Sequence, residues 1–245
     1  GQMLIHMAQH GGQNIALDFS HRAPKAATPD MYNVLQQSEA GILLYDVEDN
    51  ANSIGYRSIG VPGVTAGLCK AHELFGTLPL ELLLEPAIHF AEDGFEVDWA
   101  TALRISDSMS DFVKFGEAAK VFCPTGYPPI VGVDKVVQRD LADTLRRISR
   151  QGKDGFYKGD IPHAVDEYMK KHDGLLTVDD FTDYQVQVLE PARVTYRGHD
   201  ILGIPVSSGG TTALETFNIL ENFDLGQFGH NSSEHLHILI ESARH

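Results

Sequence analysis

The segment Ile204-Pro205-Val206-Ser207-Ser208-Gly209-Gly210-Thr211 constrains the fold more than any other. Before it, Asp200 to Ile204 reads as a strand, and after it Thr212 to Leu225 reads as a helix. Proline cannot donate to a sheet ladder, so the strand ends at Pro205. Ser207 or Ser208 is suited to cap the helix, and Gly209-Gly210 allows a close backbone approach. An all-helical or all-strand chain has no use for such a junction, which points to a mixed α/β (α+β) class.

The remaining punctuation predicts a mostly helical chain with a few strands. Met3, Ile5 and Met7 alternate with Leu4 and His6, Gly11-Gly12 supplies a turn, and Ile15 to Phe19 returns as the second strand of a hairpin. Ser20 to Pro29 holds His21, Arg22 and Lys25, and with Pro24 and Pro29 ruling out regular structure it reads as a loop at a strand end. Ile42 to Tyr45 suits a short strand, and Asp46 to Asn50 an acidic turn. Pro62-Gly63 opens a helix to Phe75, with Val64, Leu68, Ala71 and Phe75 on one apolar face and Gly76 as its stop. Pro79 opens another, which Pro86 should break or restart before Ile88 to Asp93, with Gly94 closing it. Residues 98–121 carry a weaker helical pattern, and Cys123 to Pro129 reads as a loop.

Further helices are expected from Asp134 as a cap to Arg150, with Val137, Leu141, Leu145 and Ile148 inward, and from Asp160 as a cap over Ile161 to Lys171. Thr177 should cap Val178 to Tyr184. Gln185 to Leu189 and Ala192 to Tyr196 read as extended, Arg197 to Asp200 as a turn, and Ser232 to Ala243 as a last amphipathic helix.

Charge and motifs exclude several classes of function. Of the 245 residues, 42% are hydrophobic and 22% charged, so a buried core is expected. The net charge is −15 with no clustered Lys or Arg, which argues against a nucleic-acid partner. No apolar run approaches the ~20 residues that span a bilayer. The first residues show no signal peptide, and the compartment is not readable from them. Cys69 and Cys123 form no C-x-x-C pair and read as small core residues. His235 and His237, two apart, diverge on a helix, so no metal site is expected, and no cofactor motif is present. Ser207 and Ser208 lack the G-x-S-x-G elbow of a serine nucleophile. A helix start without the lysine of a phosphate loop is a weak anion site.

Eight segments in register carry a resemblance. They are Ala16 to Phe19 with Ala23 to Tyr32, Gly60 to Gly67, Glu85 to Ile88 with Ala91 to Phe95, and Phe156 to Ile161. Asp173 to Phe181 with Tyr184, Tyr196-Arg197-Gly198, Ser207 to Gly210, and Asn218 to Glu221 complete the set. Together they resemble the γ-glutamyltransferase family, which also contains cephalosporin acylase-like enzymes.

The resemblance implies an N-terminal-nucleophile hydrolase with an αββα sandwich in the intact protein. This chain would be its mostly helical large-subunit part, residues 1–245, truncated at both ends relative to the family. It implies a precursor that cuts itself, whose small subunit presents a threonine nucleophile with its own amine as base. The implied partners are that small subunit and a γ-glutamyl or related acyl-amide substrate. No catalytic residue is expected within this chain. The resemblance also places the substrate contacts. Typical transpeptidases carry an arginine directly after the Asp-Phe pair, which binds the donor's α-carboxylate; here Ser20 stands there, and Arg22 lies two residues on. Residues i and i+2 of an extended segment point the same way, so Arg22 is the candidate substitute.

Overall fold

The computed structural model describes residues 1–8, 11–37, 45–205 and 208–244. Strands β1 (Gln2–Met7), β2 (Gln13–Asp18), β3 (Val34–Gln37) and β4 (Tyr45–Val47) come first. Then follow α1 (Val64–Phe75), α2 (Leu80–Asp93), β5 (Phe95–Glu96), α3 (Trp99–Asp107), α4 (Met109–Phe112) and α5 (Gly116–Phe122). Next are β6 (Lys135–Val136), α6 (Arg139–Gln151), α7 (Asp154–Tyr157), α8 (Asp160–Lys171) and α9 (Val178–Thr182). The chain closes with β7 (Gln187–Leu189), β8 (Ala192–Tyr196), β9 (His199–Gly203), α10 (Gly210–Leu220) and α11 (Ser233–Ala243). The mixed helix-and-strand class expected from the sequence is what the chain adopts. Of the expected features, Ile42, Leu43, Leu44 and Ser207 lie outside the described residues.

Two units divide the chain. The first comprises Gly1–His21, Ala66–Ala71 and Gln185–His245. Its sheet has the order β1-β2-β7, both pairs antiparallel, with Ile5 opposite Ile15 and Leu17 opposite Val188. β2 is the central strand, and Ile15, Ala16 and Leu17 are all buried, so this strand is covered on both faces. A second hairpin, β8–β9, turns at Arg197-Gly198, where both φ angles are positive (50° and 78°), as a two-residue primed turn requires. The expected four-residue turn is therefore two residues, and His199 and Asp200 already belong to β9. α10 lies on this hairpin through Tyr196 and Phe217, whose rings are 5.0 Å apart.

Where α1 contributes to this unit, Ala66 and Gly67 are the buried residues, while Leu68 is 51% exposed; Val64, at the start of the same helix in the second unit, is 56% exposed. Of the expected inward face, Val64 and Leu68 are thus uncovered, while Ala71 and Phe75 are partly buried. The reason is Phe19, whose ring lies so close to Gly67 that only a residue without a side chain fits. α11 behaves alike: Ser232 caps it, but Leu236 and Ile240 of its apolar face are exposed.

The second unit comprises Arg22–Thr65 and His72–Tyr184. α2 packs along α6, and Arg146 bridges Glu92. α2 runs unbroken through Pro86, contrary to the expected break. Proline removes one intrahelical donor, but the contact with α6 holds the turns on either side. Asp134 does not cap α6; its carboxylate accepts from Ile130 N at 2.7 Å, the next two residues form β6, and the helix starts at Arg139. Leu141 is 41% exposed, and Ala142 and Ile148 take the inward face. Asp160 is the first residue of α8 rather than its cap, and it pairs with Arg147. Val97, Ile105 and Val136 form a core cluster with Phe112 and Phe122 packed on it. Cys123 is buried as expected, but Cys69 is only partly so.

Candidate functional site

The loop after β2 leads directly to the two candidate contacts. In the first unit, Ser20 N donates to the carboxylate of Asp18 at 2.9 Å, and Phe19 N donates to Gly1 O at 2.9 Å. The Ser20 hydroxyl lies 3.5 Å from the same Gly1 carbonyl. Ser20 is therefore at a sharp, locally tied exit from the strand.

Arg22 belongs to the second unit. Its backbone pairs with Val61 in an isolated antiparallel bridge, Val61 N donating to Arg22 O at 2.8 Å. Val61 is buried and anchors the bridge. The guanidinium carbon of Arg22 lies 6.0 Å from the centroid of the Tyr184 ring, within reach of a cation–π contact. Tyr184 in turn stacks on Tyr157 at 5.6 Å and 16°, and Tyr157 donates its hydroxyl proton to Pro62 O at 2.6 Å. Residues 61–62 thus hold both the backbone of Arg22 and the aromatic platform beneath its side chain. The Arg22 side chain is exposed and makes no ion pair with any described residue.

Beyond Arg22 the loop turns at Pro24–Ala27, with Ala27 N donating to Pro24 O at 2.9 Å. Lys25 pairs through its ammonium with Asp183, and that hydrogen bond raises the Lys25 pKa above its ordinary value. The Lys25 amide donates to the carboxylate of Asp180 at 2.8 Å. Asp180 is buried and also accepts from Thr177 N and Thr177 Oγ1, each at 2.9 Å; the bond from Thr177 N is one half of a capping box on α9, whose other half is the Asp180 amide donating to the Thr177 side chain. The sequence carries a signal for the Thr177–Asp180 box, but none for the link to Lys25, 155 residues away.

The junction after β9 is structural. Ser208 Oγ donates to Ile204 O at 3.0 Å and accepts from Gly210 N at 3.1 Å, so its lone pairs and proton are engaged locally. A side chain at Gly210 would meet Ile204 O at 2.4 Å, which explains the glycine. Among the described residues no group of three or more His, Cys, Asp or Glu is placed to hold a metal ion, and no helix is long and apolar enough to cross a membrane.

Comparison with known proteins gives the geometry its context. The sequence profile of the family described as Gamma-glutamyltranspeptidase matches residues 1–245. The chain is 36% identical over 245 residues to the acylase ACY 1 proenzyme of Pseudomonas sp. (strain SE83), covering all of this chain and 43% of the relative. It is 33% identical to the glutathione hydrolase proenzyme of Escherichia coli (strain K12), covering all of this chain and 41% of that protein. In structure it resembles the gamma-glutamyltranspeptidase of Helicobacter pylori, with TM-score 0.90, 34% identity, and coverage of 100% of this chain and 67% of that one. The cephalosporin acylase of Bacillus halodurans matches with TM-score 0.81 and 26% identity over 99% of this chain and 43% of that one. The chain thus spans less than half the length of these two curated relatives.

Proposed function

Because this chain belongs to the gamma-glutamyltranspeptidase family, we propose that it is the large-subunit portion of an N-terminal-nucleophile enzyme that transfers or hydrolyses the acyl group of an amide. A precursor would cut itself to free a threonine at the start of the small subunit. The threonine Oγ attacks the amide carbonyl, and its proton passes to the threonine's own amine, whose ordinary pKa of about 7.7–8.0 suits it as a base. The C–N bond breaks, the amine leaves with that proton, and the acyl ester passes to water or an acceptor amine. The relatives named as proenzymes support a processed precursor. The uncovered apolar stripes of α1 and α11 support a partner subunit.

In this reading Arg22 binds a carboxylate on the acyl group. The observation that carries it is an exposed guanidinium, fixed by a backbone bridge and an aromatic platform, without an anionic partner among the described residues. A second reading is favoured by Ser20, which stands where typical transpeptidases have their carboxylate-binding arginine: the donor is a related acyl amide, such as a glutaryl amide, rather than a γ-glutamyl one. A serine cannot replace a bidentate guanidinium–carboxylate contact.

The test uses the full-length protein with γ-glutamyl, glutaryl and neutral acyl anilides. Arg22→Ala should raise KM for the carboxylate-bearing donors, and Ser20→Arg should raise kcat/KM for the γ-glutamyl donor. A full-length protein that neither cleaves itself nor releases aniline from any donor refutes the enzymatic reading.

A further inference from the structure

Asp180 accepts more hydrogen bonds than its cap requires. Thr177 supplies two donors, its amide in the capping box and its hydroxyl beside it, and the third, the Lys25 amide, comes from the loop that carries Arg22. We propose that Asp180 is a positioning residue for Arg22, fastening residues 22–25 so that the guanidinium stands over Tyr184 at the mouth of the acyl-donor site. This rests on the carboxylate-binding reading of Arg22 given above.

The geometry is that of a short span clamped at both ends. The Val61 bridge holds the span at Arg22, and the Asp180 carboxylate holds it at Lys25. Three residues reach only about 10 Å when extended, so two fixed ends leave the Arg22 backbone little freedom. The clamp and the platform also share a base, since Asp180 lies in α9 and Tyr184 follows two residues after that helix ends. The two links from Lys25 to this segment are unequal. The ammonium pair with Asp183 is exposed on both sides (57% and 63%), and exposed pairs hold weakly. The amide link ends on a carboxylate that is only 6% exposed, where a charge-assisted bond is stronger and its loss is not made good by water.

The link can be cut without touching Asp180. Lys25 follows Pro24 as the second residue of the Pro24–Ala27 turn, a position that proline accepts. Lys25→Pro therefore deletes the amide proton and keeps the turn, while Lys25→Ala deletes only the ammonium. Asp180→Asn is a second probe: its amide nitrogen must face either the Lys25 or the Thr177 donor, so one link breaks whichever way it turns.

The experiment measures kcat/KM of the full-length protein for a glutaryl anilide and for a neutral pentanoyl anilide of similar length. Displacing a binding group by ~1 Å can cost up to ~10²-fold. Lys25→Pro should lower the glutaryl-to-pentanoyl ratio at least ~10-fold below that of Lys25→Ala, through KM, while self-cleavage persists. Hydrogen exchange of residues 22–27 should quicken in Lys25→Pro and Asp180→Asn. Equal ratios in the two Lys25 variants, or loss of both donors in step, would overturn the positioning role. Arg22→Ala separates the two ideas: an unchanged ratio in that variant refutes the carboxylate reading and the inference built on it. A lowered ratio in Arg22→Ala with no effect of Lys25→Pro refutes the Asp180 clamp alone.

Discussion

Gly67→Ala tests the packing that sets the exit of β2. Gly67 is buried inside α1, and alanine is favoured over glycine in a helix by ~1 kcal/mol. On propensity alone the substitution stabilises. The structure predicts the opposite sign. A Cβ at this position would fall 2.1 Å from Cγ of Phe19 and 2.3 and 2.5 Å from two further ring carbons. Those are ring atoms bonded close to the backbone, and Phe19 is only 5% exposed, so the ring has little room to swing away. Inserting one carbon into a filled core costs ~1–3 kcal/mol, and so deep an overlap belongs at the top of that range. The net loss is about 2 kcal/mol after the helix gain is subtracted.

Calorimetry of the full-length precursor should show the melting temperature fall by about 4 °C. The double variant Phe19→Ala/Gly67→Ala identifies the obstacle, because Phe19→Ala alone should cost ~3–5 kcal/mol and much less once the clash is present. A coupling of at least ~1 kcal/mol is expected. A raised melting temperature in Gly67→Ala, or additive effects in the cycle, would refute the claim that the Phe19 ring demands this glycine.

Further outcomes follow from the helix cap and the aromatic platform. Asp98 caps α3 by accepting from Thr101 N at 2.7 Å, and this bond holds its carboxyl below the ordinary 3.8. A depressed folded pKa means the cap's stabilisation is full above the unfolded value and disappears as pH falls through the folded one. Protection of the Thr101 amide from exchange should therefore decline below about pH 4 in the native protein and stay flat in Asp98→Asn; equal profiles would refute the cap. Tyr157→Phe should lower stability by about 1–2 kcal/mol by stranding the Pro62 carbonyl. Equilibrium denaturation would read that loss, and the same variant should raise KM for a glutaryl donor if the Tyr157–Tyr184 stack supports Arg22.

The local syntax of the chain was readable. Gly11-Gly12 marked the first hairpin, Thr177 marked a helix cap, and the glycines at 76 and 94 marked two helix ends. These are signals carried by the residues themselves, in a φ angle or a side-chain oxygen. The errors fall where a distant element decides. Pro86 stays helical because α6 lies alongside. Asp134 turns back to Ile130 instead of capping α6. Val34–Gln37, for which the sequence suggested no element, forms a strand because Tyr45–Val47 pairs with it.

The candidate site divides the same way. Sequence alone determined the family, through eight motifs in order, and singled out Ser20 and Arg22 from one departure in one motif. It also placed glycine at 67 and an Asp three residues after Thr177. Only the tertiary structure decided what those residues are for: Gly67 makes room for Phe19, and Asp180 reaches Lys25 across 155 residues of chain. The physical reason is range. Capping and turn preferences act over three or four residues and leave a trace in the sequence. A close contact or a buried hydrogen bond between distant segments depends on where the whole fold brings two backbones together, and no local pattern records that.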